Sequence, residues 1–277
     1  MLQTIHELDS LLVAGDPVVG ILYALLLFVA GAVVASFSGL VAFRFKSLDD
    51  GQSALRAISF PPSRCESCGR MLTALELVPV IGWIVCRGRC PTCGAKIPLR
   101  YPVTEFLTGA AFASVPFVAG GLAPALPTLF ILAIGFLIAV IDWENSIVPE
   151  ELTWVLMFAG LLASPVEPDL HYRVVGAAIG ALGGWFMTTV PGWMRGVDTR
   201  AWGDVAMAAG VGAWMGCFAG YPVLFAAAAL HLAICVANGA GGKDEQVWTP
   251  FGPALMAAFA AAMVFHPWMT GIFRPFL

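Results

Sequence analysis

Residues 125–143 read ALPTLFILAIGFLIAVIDW. No charged residue occurs from Ala125 to Ile141, and the run stops at Asp142-Trp143. A charge-free stretch of this length matches the ~30 Å hydrocarbon core of a bilayer at 1.5 Å per helical residue. A charge at mid-bilayer costs roughly 2.5–3.5 kcal/mol and less toward the surface, which places Asp142 at a membrane boundary. Apolar runs bounded by breakers predict seven further spans, at 19–43, 103–121, 151–165, 173–190, 204–219, 222–239 and 251–270. The turn between the sixth and seventh is expected at Gly220-Tyr221-Pro222.

Composition supports the same class. Of 277 residues, 59% are hydrophobic and 12% charged, and the mean hydropathy is +0.85. The charged share is half the usual ~25% of soluble domains. This excludes a soluble enzyme, a disordered chain and a nucleic-acid-binding protein, whose signature is high charge. The fold class expected is an all-α polytopic membrane protein, with about eight transmembrane helices and a small tetracysteine domain between helices 1 and 2. The expected division is 1–43 (N-terminal segment and first span), 44–102 (cysteine domain) and 103–277 (membrane domain). Residues 1–18 hold Glu7, Asp9 and Asp16 but no Lys or Arg. The apolar run after them is too long for a signal-peptide core, so the first span is read as retained.

Segment 44–102 carries nine basic residues: Arg44, Lys46, Arg56, Arg64, Arg70, Arg87, Arg89, Lys96 and Arg100. With eight spans, the loops holding Arg195, Arg200 and Lys243 fall on the same face, leaving only Arg173 and Arg274 opposite. By the positive-inside rule that face is cytoplasmic. Asp142 closes span three, and Asp204, in Ala201-Trp202-Gly203-Asp204-Val205, opens span six. Two spans separate them, so both carboxylates return to the cysteine-loop face.

Either acid alone is equally well read as a helix-end residue, Asp204 as an N-cap. Brought together in a low-dielectric site, two carboxylates share a proton. One then serves as general base on water and the other as general acid, the chemistry of an aspartic protease. Glu144 would face away from Asp142 on a continuing helix. Glu150, Glu151 and Asp198 read as loop charges.

Cys65-Glu66-Ser67-Cys68 and Cys90-Pro91-Thr92-Cys93 are each followed by Gly, at Gly69 and Gly94. Two such pairs suit one ion held by four thiolates, with zinc the natural occupant. A reducing cytoplasm disfavours disulfides. Cys86 is an alternative ligand or a packing residue; Cys217 and Cys235 read as small apolar residues within spans. Gly176 and Gly180, and Gly212, Gly216 and Gly220, recur every four residues and predict close helix packing. His6, His171, His231 and His266 form no cluster. His231 alone is a weak site candidate, better read as hydrogen-bonded structure.

These residues resemble the type IV prepilin peptidases, bifunctional leader peptidases and N-methyltransferases of bacteria. The resemblance rests on Ala35-Ser36-Phe37-Ser38-Gly39-Leu40-Val41 with Arg44, on Pro62-Ser63-Arg64-Cys65 through Cys93, and on Arg100-Tyr101-Pro102 with Glu105. It continues through Asp142, Pro149 and Leu152-Thr153, then Gly203-Asp204 and Pro250-Phe251-Gly252-Pro253. The chain departs from the family pattern at Ala201 (Gly in Gly-x-Gly-Asp), Ala206 (usually Lys) and Gly39 (often Asn). The resemblance implies cleavage of prepilin or pseudopilin leaders at the cytoplasmic face of the bacterial inner membrane by Asp142 and Asp204. It also implies methylation of the new N-terminus from S-adenosylmethionine, for which the residues identify no pocket. Intramembrane proteases of the presenilin type share two carboxylates but lack the cysteine loop. An ion transporter would place them near the midplane. In a non-catalytic assembly scaffold the pair would be vestigial.

Overall fold

The computed structural model describes residues 2–45, 62–195, 201–237 and 249–273. Lys46, Arg56, Asp198, Arg200, Lys243, Arg274 and the side chain of His266 lie outside the described residues. The helices are α1 Leu2–Val13, α2 Pro17–Phe45, α3 Ile81–Val85, α4 Arg100–Ala119 and α5 Leu122–Asn145, followed by α6 Glu150–Ala163, α7 Leu170–Arg195, α8 Trp202–Ala237 and α9 Gly252–Phe273. The expected spans fall largely on α2, α4, α5, α6, α7, the two arms of α8, and α9, with residues 238–239 outside the described ones. Five helices are long and apolar enough to cross a membrane: α2, α4, α5, the Leu170–Val190 part of α7, and α8. Among the described residues extended structure is limited to two isolated bridges.

The chain forms two compact units, Met1–Leu129 and Phe130–Leu277. In the first, α2 and α4 approach through glycines. A Cβ on Gly31 would sit 2.7 Å from the Thr108 carbonyl, and one on Gly109 would sit 2.8 Å from that of Phe28. Asp9 caps α5, accepting from the N–H groups of Leu122 (2.7 Å) and Ala123 (3.2 Å) and from the Tyr23 hydroxyl (3.0 Å). Burial opposes its charge, but those two N–H donors, the Tyr23 hydroxyl and nearby His6 together outweigh it and hold the carboxyl below the usual range.

The second unit is built around α8. Gly216 has φ +70° and ψ −178°, so the helix breaks there. A Cβ on Gly220 would lie 3.8 Å from Gly212 Cα, whereas eight residues of straight helix span ~12 Å. The chain therefore reverses at Gly216, earlier than the expected Gly220-Tyr221-Pro222, which lies inside the second arm. The α7 glycines pack backbone to backbone on the first arm, Gly176 against Gly212 and Gly180 against Ala208. This is the close approach their spacing predicted. Trp214, 2% exposed, fastens α6: its indole N–H donates to the Leu156 carbonyl (2.8 Å), and its carbonyl accepts from Ser164 (2.5 Å). Arg173 donates to the carbonyls of Leu161 and Ser164 (both 3.0 Å) and Glu167 (2.6 Å), satisfying acceptors left open at the end of α6. Ile138, Leu156, Met207, Val211, Leu255 and Phe259 fill the core between α5, α6, α8 and α9.

Candidate active site and metal centre

Asp142 lies three residues before the end of α5, buried with 4% of its surface exposed. Its Oδ2 accepts from the N–H of Gly252, the first residue of α9, at 2.9 Å. That N–H is one of the donors a helix start leaves unpaired, and a carboxylate there is favoured by the helix dipole. The approach leaves no space for a side chain at 252. A Cβ would meet Asp142 Oδ2 at 2.5 Å and Met207 Cε at 3.0 Å.

Asp204 stands in the first turn of α8, half-buried, and its carboxylate interacts electrostatically with that of Asp142. Local structure explains the meeting. After Asp142 the chain turns at Ser146 (φ +54°), whose N–H donates to the Asp142 carbonyl (2.8 Å). Val148 then packs on the residue before Asp204: a Cβ on Gly203 would sit 2.6 Å from Val148 Cβ. Gly184 of α7 backs the same turn, its Cβ position 3.2 Å from Val205 Cα. The acids from α5 and α8 are thus brought together, with α9 closing on one of them. Glu144 stays on α5 two residues beyond Asp142, and Glu150 and Glu151 are exposed in the first turn of α6.

The contribution of Gly252 was not visible in the sequence beyond its place in Pro250-Phe251-Gly252-Pro253. A Gly-Pro step opening a helix was the available signal. His231 stands edge-on to Phe251, ring centroids 5.4 Å apart, with Nε2 3.5 Å from Cys235 Sγ. It therefore packs against the entrance of α9.

The four cysteines converge. Sγ of Cys65, Cys68, Cys90 and Cys93 all lie within 4.8 Å of one another, the one such group among the described residues that could hold a metal ion. Cys65–Cys93 and Cys68–Cys90 are 3.8 and 4.0 Å apart, about twice a disulfide bond length. The two halves are copies offset by 25 residues. Cys65 N–H donates to Arg70 and Cys90 N–H to Ala95, both at 2.8 Å. Gly69 and Gly94, at φ +70° and +71°, turn each knuckle, and bridges Arg64–Met71 and Arg89–Lys96 close them. Backbone N–H groups of Cys93 and Thr92 bring the Cys90 thiol down to about 6, and those of Cys68 and Ser67 lower Cys65. Both effects favour thiolate at those two residues; at Cys93 the Ala95 N–H also lowers, but burial and the Cys90, Cys68 and Cys65 side chains outweigh it and push the thiol up to about 11. Cys86 stands apart, its Sγ 3.8 Å from Glu76 Oε1. Glu76 pairs bidentately with Arg70 (2.8 and 3.2 Å) and accepts from Thr73 N–H (2.7 Å).

Fold and sites together define a multi-pass helical membrane protein with a tetracysteine centre and a carboxylate pair at helix ends. Residues 29–118 match the Bacterial Peptidase A24 N-terminal domain, and residues 129–236, which contain both Asp142 and Asp204, match the Type IV leader peptidase family. The prepilin leader peptidase/N-methyltransferase of Burkholderia pseudomallei (strain K96243) is 32% identical over 258 residues, covering 86% of this chain and 84% of the relative. That of Klebsiella pneumoniae is 32% identical over 197 residues (70% and 86%), and that of Dichelobacter nodosus 34% over 206 residues (72% and 69%). No solved structure matches the chain. The chain belongs to the type IV leader peptidase family and is an enzyme.

Proposed function

We propose that this enzyme is an aspartic endopeptidase that removes the leader of type IV prepilins or pseudopilins at the cytoplasmic face of the bacterial inner membrane. The observation that carries the reading is the meeting of Asp142 and Asp204, two acids from opposite ends of different apolar helices, inside the segment matched to the leader peptidases. Water held between them loses a proton to one carboxylate as its oxygen attacks the scissile carbonyl. The other carboxyl donates a proton to the departing amine nitrogen, and the C–N bond breaks. The dyad titrates as a unit. The Gly252 N–H fixes one oxygen of Asp142, leaving the other to face water and substrate. The placement of both acids at helix ends suits a bond at the junction of a polar leader and an apolar helix. The weight of basic residues in 44–102 supports the cytoplasmic orientation.

In this reading 1–43, 44–102 and 103–277 act as first span, cysteine domain and peptidase domain. Cys65, Cys68, Cys90 and Cys93 hold zinc, since tetrahedral Zn–S bonds of ~2.3 Å put sulfurs ~3.8 Å apart. The observed 3.8 and 4.0 Å fit that separation. The ion supplies folding energy to a segment with little core of its own. The relatives' printed name, leader peptidase/N-methyltransferase, supports a second step that methylates the new N-terminal amine. With S-adenosylmethionine as donor, as the family resemblance implies, the S–CH3 bond would break as the N–CH3 bond forms, S-adenosylhomocysteine leaving and the amine losing a proton.

The test is co-expression with a prepilin and the intact mass of its N-terminus. Cleavage plus one methyl is expected, with cleavage abolished in Asp142→Asn and Asp204→Asn. Unchanged cleavage in either variant would overturn the dyad.

A further inference from the structure

Segment 62–100 is the polar loop of the sequence, yet it presents an apolar surface. Leu75, Leu77, Val78, Ile81, Ile84 and Val85 are all exposed, Ile84 by 60%. They come from a 3-10 turn, Leu75–Leu77, its C-cap Val78 and the short helix α3, packed together so tightly that Gly82 rests on the backbone of Glu76. On α3 the positions 81, 84 and 85 share one helical face. The other face is spent inward: Trp83 donates to the Ile97 carbonyl (3.0 Å) and covers Gly88. The outward face is therefore held apart from the metal knuckles.

A strained backbone sets this orientation. Val80 has φ +62°, a rare conformation for a β-branched residue. Its N–H is held by Glu105 Oε2 at 2.7 Å, and Glu105 is a buried side chain of α4. Glu105 lies five residues into α4, ~7.5 Å along the axis. At that level α4 already exposes Val103, Phe106 and Leu107, as a spanning helix does toward acyl chains. Glu105 thus holds the 75–85 turn at the depth where its own helix enters the membrane. Directly after α3 come the exposed Arg87 and Arg89. Segment 62–100 as a whole carries six basic residues against two Glu, although the chain is net −4.

We propose that residues 75–85 form an interfacial membrane anchor of the cysteine segment. The six apolar side chains enter the boundary between headgroups and acyl chains, and Arg87 and Arg89 meet lipid phosphates. The segment is then a module seated on the bilayer rather than one suspended in solvent. This requires α4 to span the membrane and is independent of the direction in which it crosses.

The test uses the wild-type full-length protein in nanodiscs of phosphatidylethanolamine and phosphatidylglycerol, doped with a phospholipid bearing a diazirine high on its acyl chain. After irradiation, adducts are mapped by peptide mass. Labelling of 75–85 at a density like that of the 100–107 end of α4 is expected, severalfold above the knuckle peptides 62–70 and 90–96. Ile84→Lys, with its metal content unchanged, is expected to lose most of the 75–85 label. Label on 75–85 no higher than on the knuckles would overturn the anchor. Displacement of that label by added prepilin would also overturn it, making the surface a substrate groove. Cleavage activity is not the readout, so failure here and failure of the aspartic dyad are separable.

Discussion

At Asp142 the decisive neighbour has no side chain. A methyl at 252 must displace the Asp142 carboxylate or α9 itself, because the Cβ would sit 2.5 Å from Oδ2. Overpacking of this kind costs about 1–3 kcal/mol. Expressed at a carboxylate with the proposed catalytic role, that is roughly a 5- to 150-fold loss of rate. Gly252→Ala is accordingly expected to lower prepilin cleavage by one to two orders of magnitude while leaving helix content unchanged by circular dichroism. Gly203→Ala meets Val148 Cβ instead, so its loss should be partly restored by Val148→Gly, which removes that carbon. Additive defects in that pair would refute the packing account. The two acids stood out in the sequence as candidates because a charge ending a charge-free run is expensive. Gly252 was not, because its bond to Asp142 joins residues 110 apart and depends on how four helices pack.

Among the elements, the cysteine knuckles were the most legible and the helical hairpin of α8 the least. A Cys-x-x-Cys-Gly spells out its own turn: two thiols and one left-handed residue within five positions, repeated. Gly69 and Gly94 have open space around their Cβ positions, so Gly69→Ala is expected to cost only the left-handed penalty of about 1–2 kcal/mol. Weakened metal retention against a chelator, without loss of stoichiometry, would register it. The Arg70–Glu76 pair gives this segment a defined pH response. Arg70 and the Thr73 N–H hold the Glu76 carboxyl at about 2, against about 4.3 for an ordinary glutamate. A depressed carboxyl stabilises the fold above the higher value and ceases to as pH falls through the lower one. Glu76→Gln should therefore speed hydrogen exchange at Thr73 at pH 7, with the gap to wild type closing from pH ~4.3 toward 2. In α8, by contrast, Gly216 read as one more small packing residue, and the Gly-Tyr-Pro beyond it drew the expected turn four residues too late. Proline announces a break through its chemistry, whereas a left-handed glycine is silent until its neighbours are placed.

Across the whole molecule, the two compact units separate the four-cysteine cluster from the carboxylate pair. The tetracysteine centre belongs to Met1–Leu129, and both acids belong to Phe130–Leu277. If the cysteines hold the proposed ion, a chelator is expected to raise proteolytic sensitivity between residues 62 and 99. Protection of the helices after residue 130 should remain, and uniform loss of protection throughout would contradict that division. The membrane class followed from composition alone, because lipid tolerates few other compositions. The number of crossings did not, since hydropathy counts apolar residues and is indifferent to their direction of travel. Gly216 shows what hangs on that direction. To the insertion machinery α8 is a 36-residue apolar stretch, ~54 Å if straight, nearly twice the membrane. Folded back at Gly216, it returns His231 to the neighbourhood of Met207, where Phe251 and Gly252 wait. Threaded straight through, the same residues would deliver α9 to the opposite leaflet and leave Asp142 without its cap. A single backbone reversal thus decides at which end of the helical bundle the last helix begins.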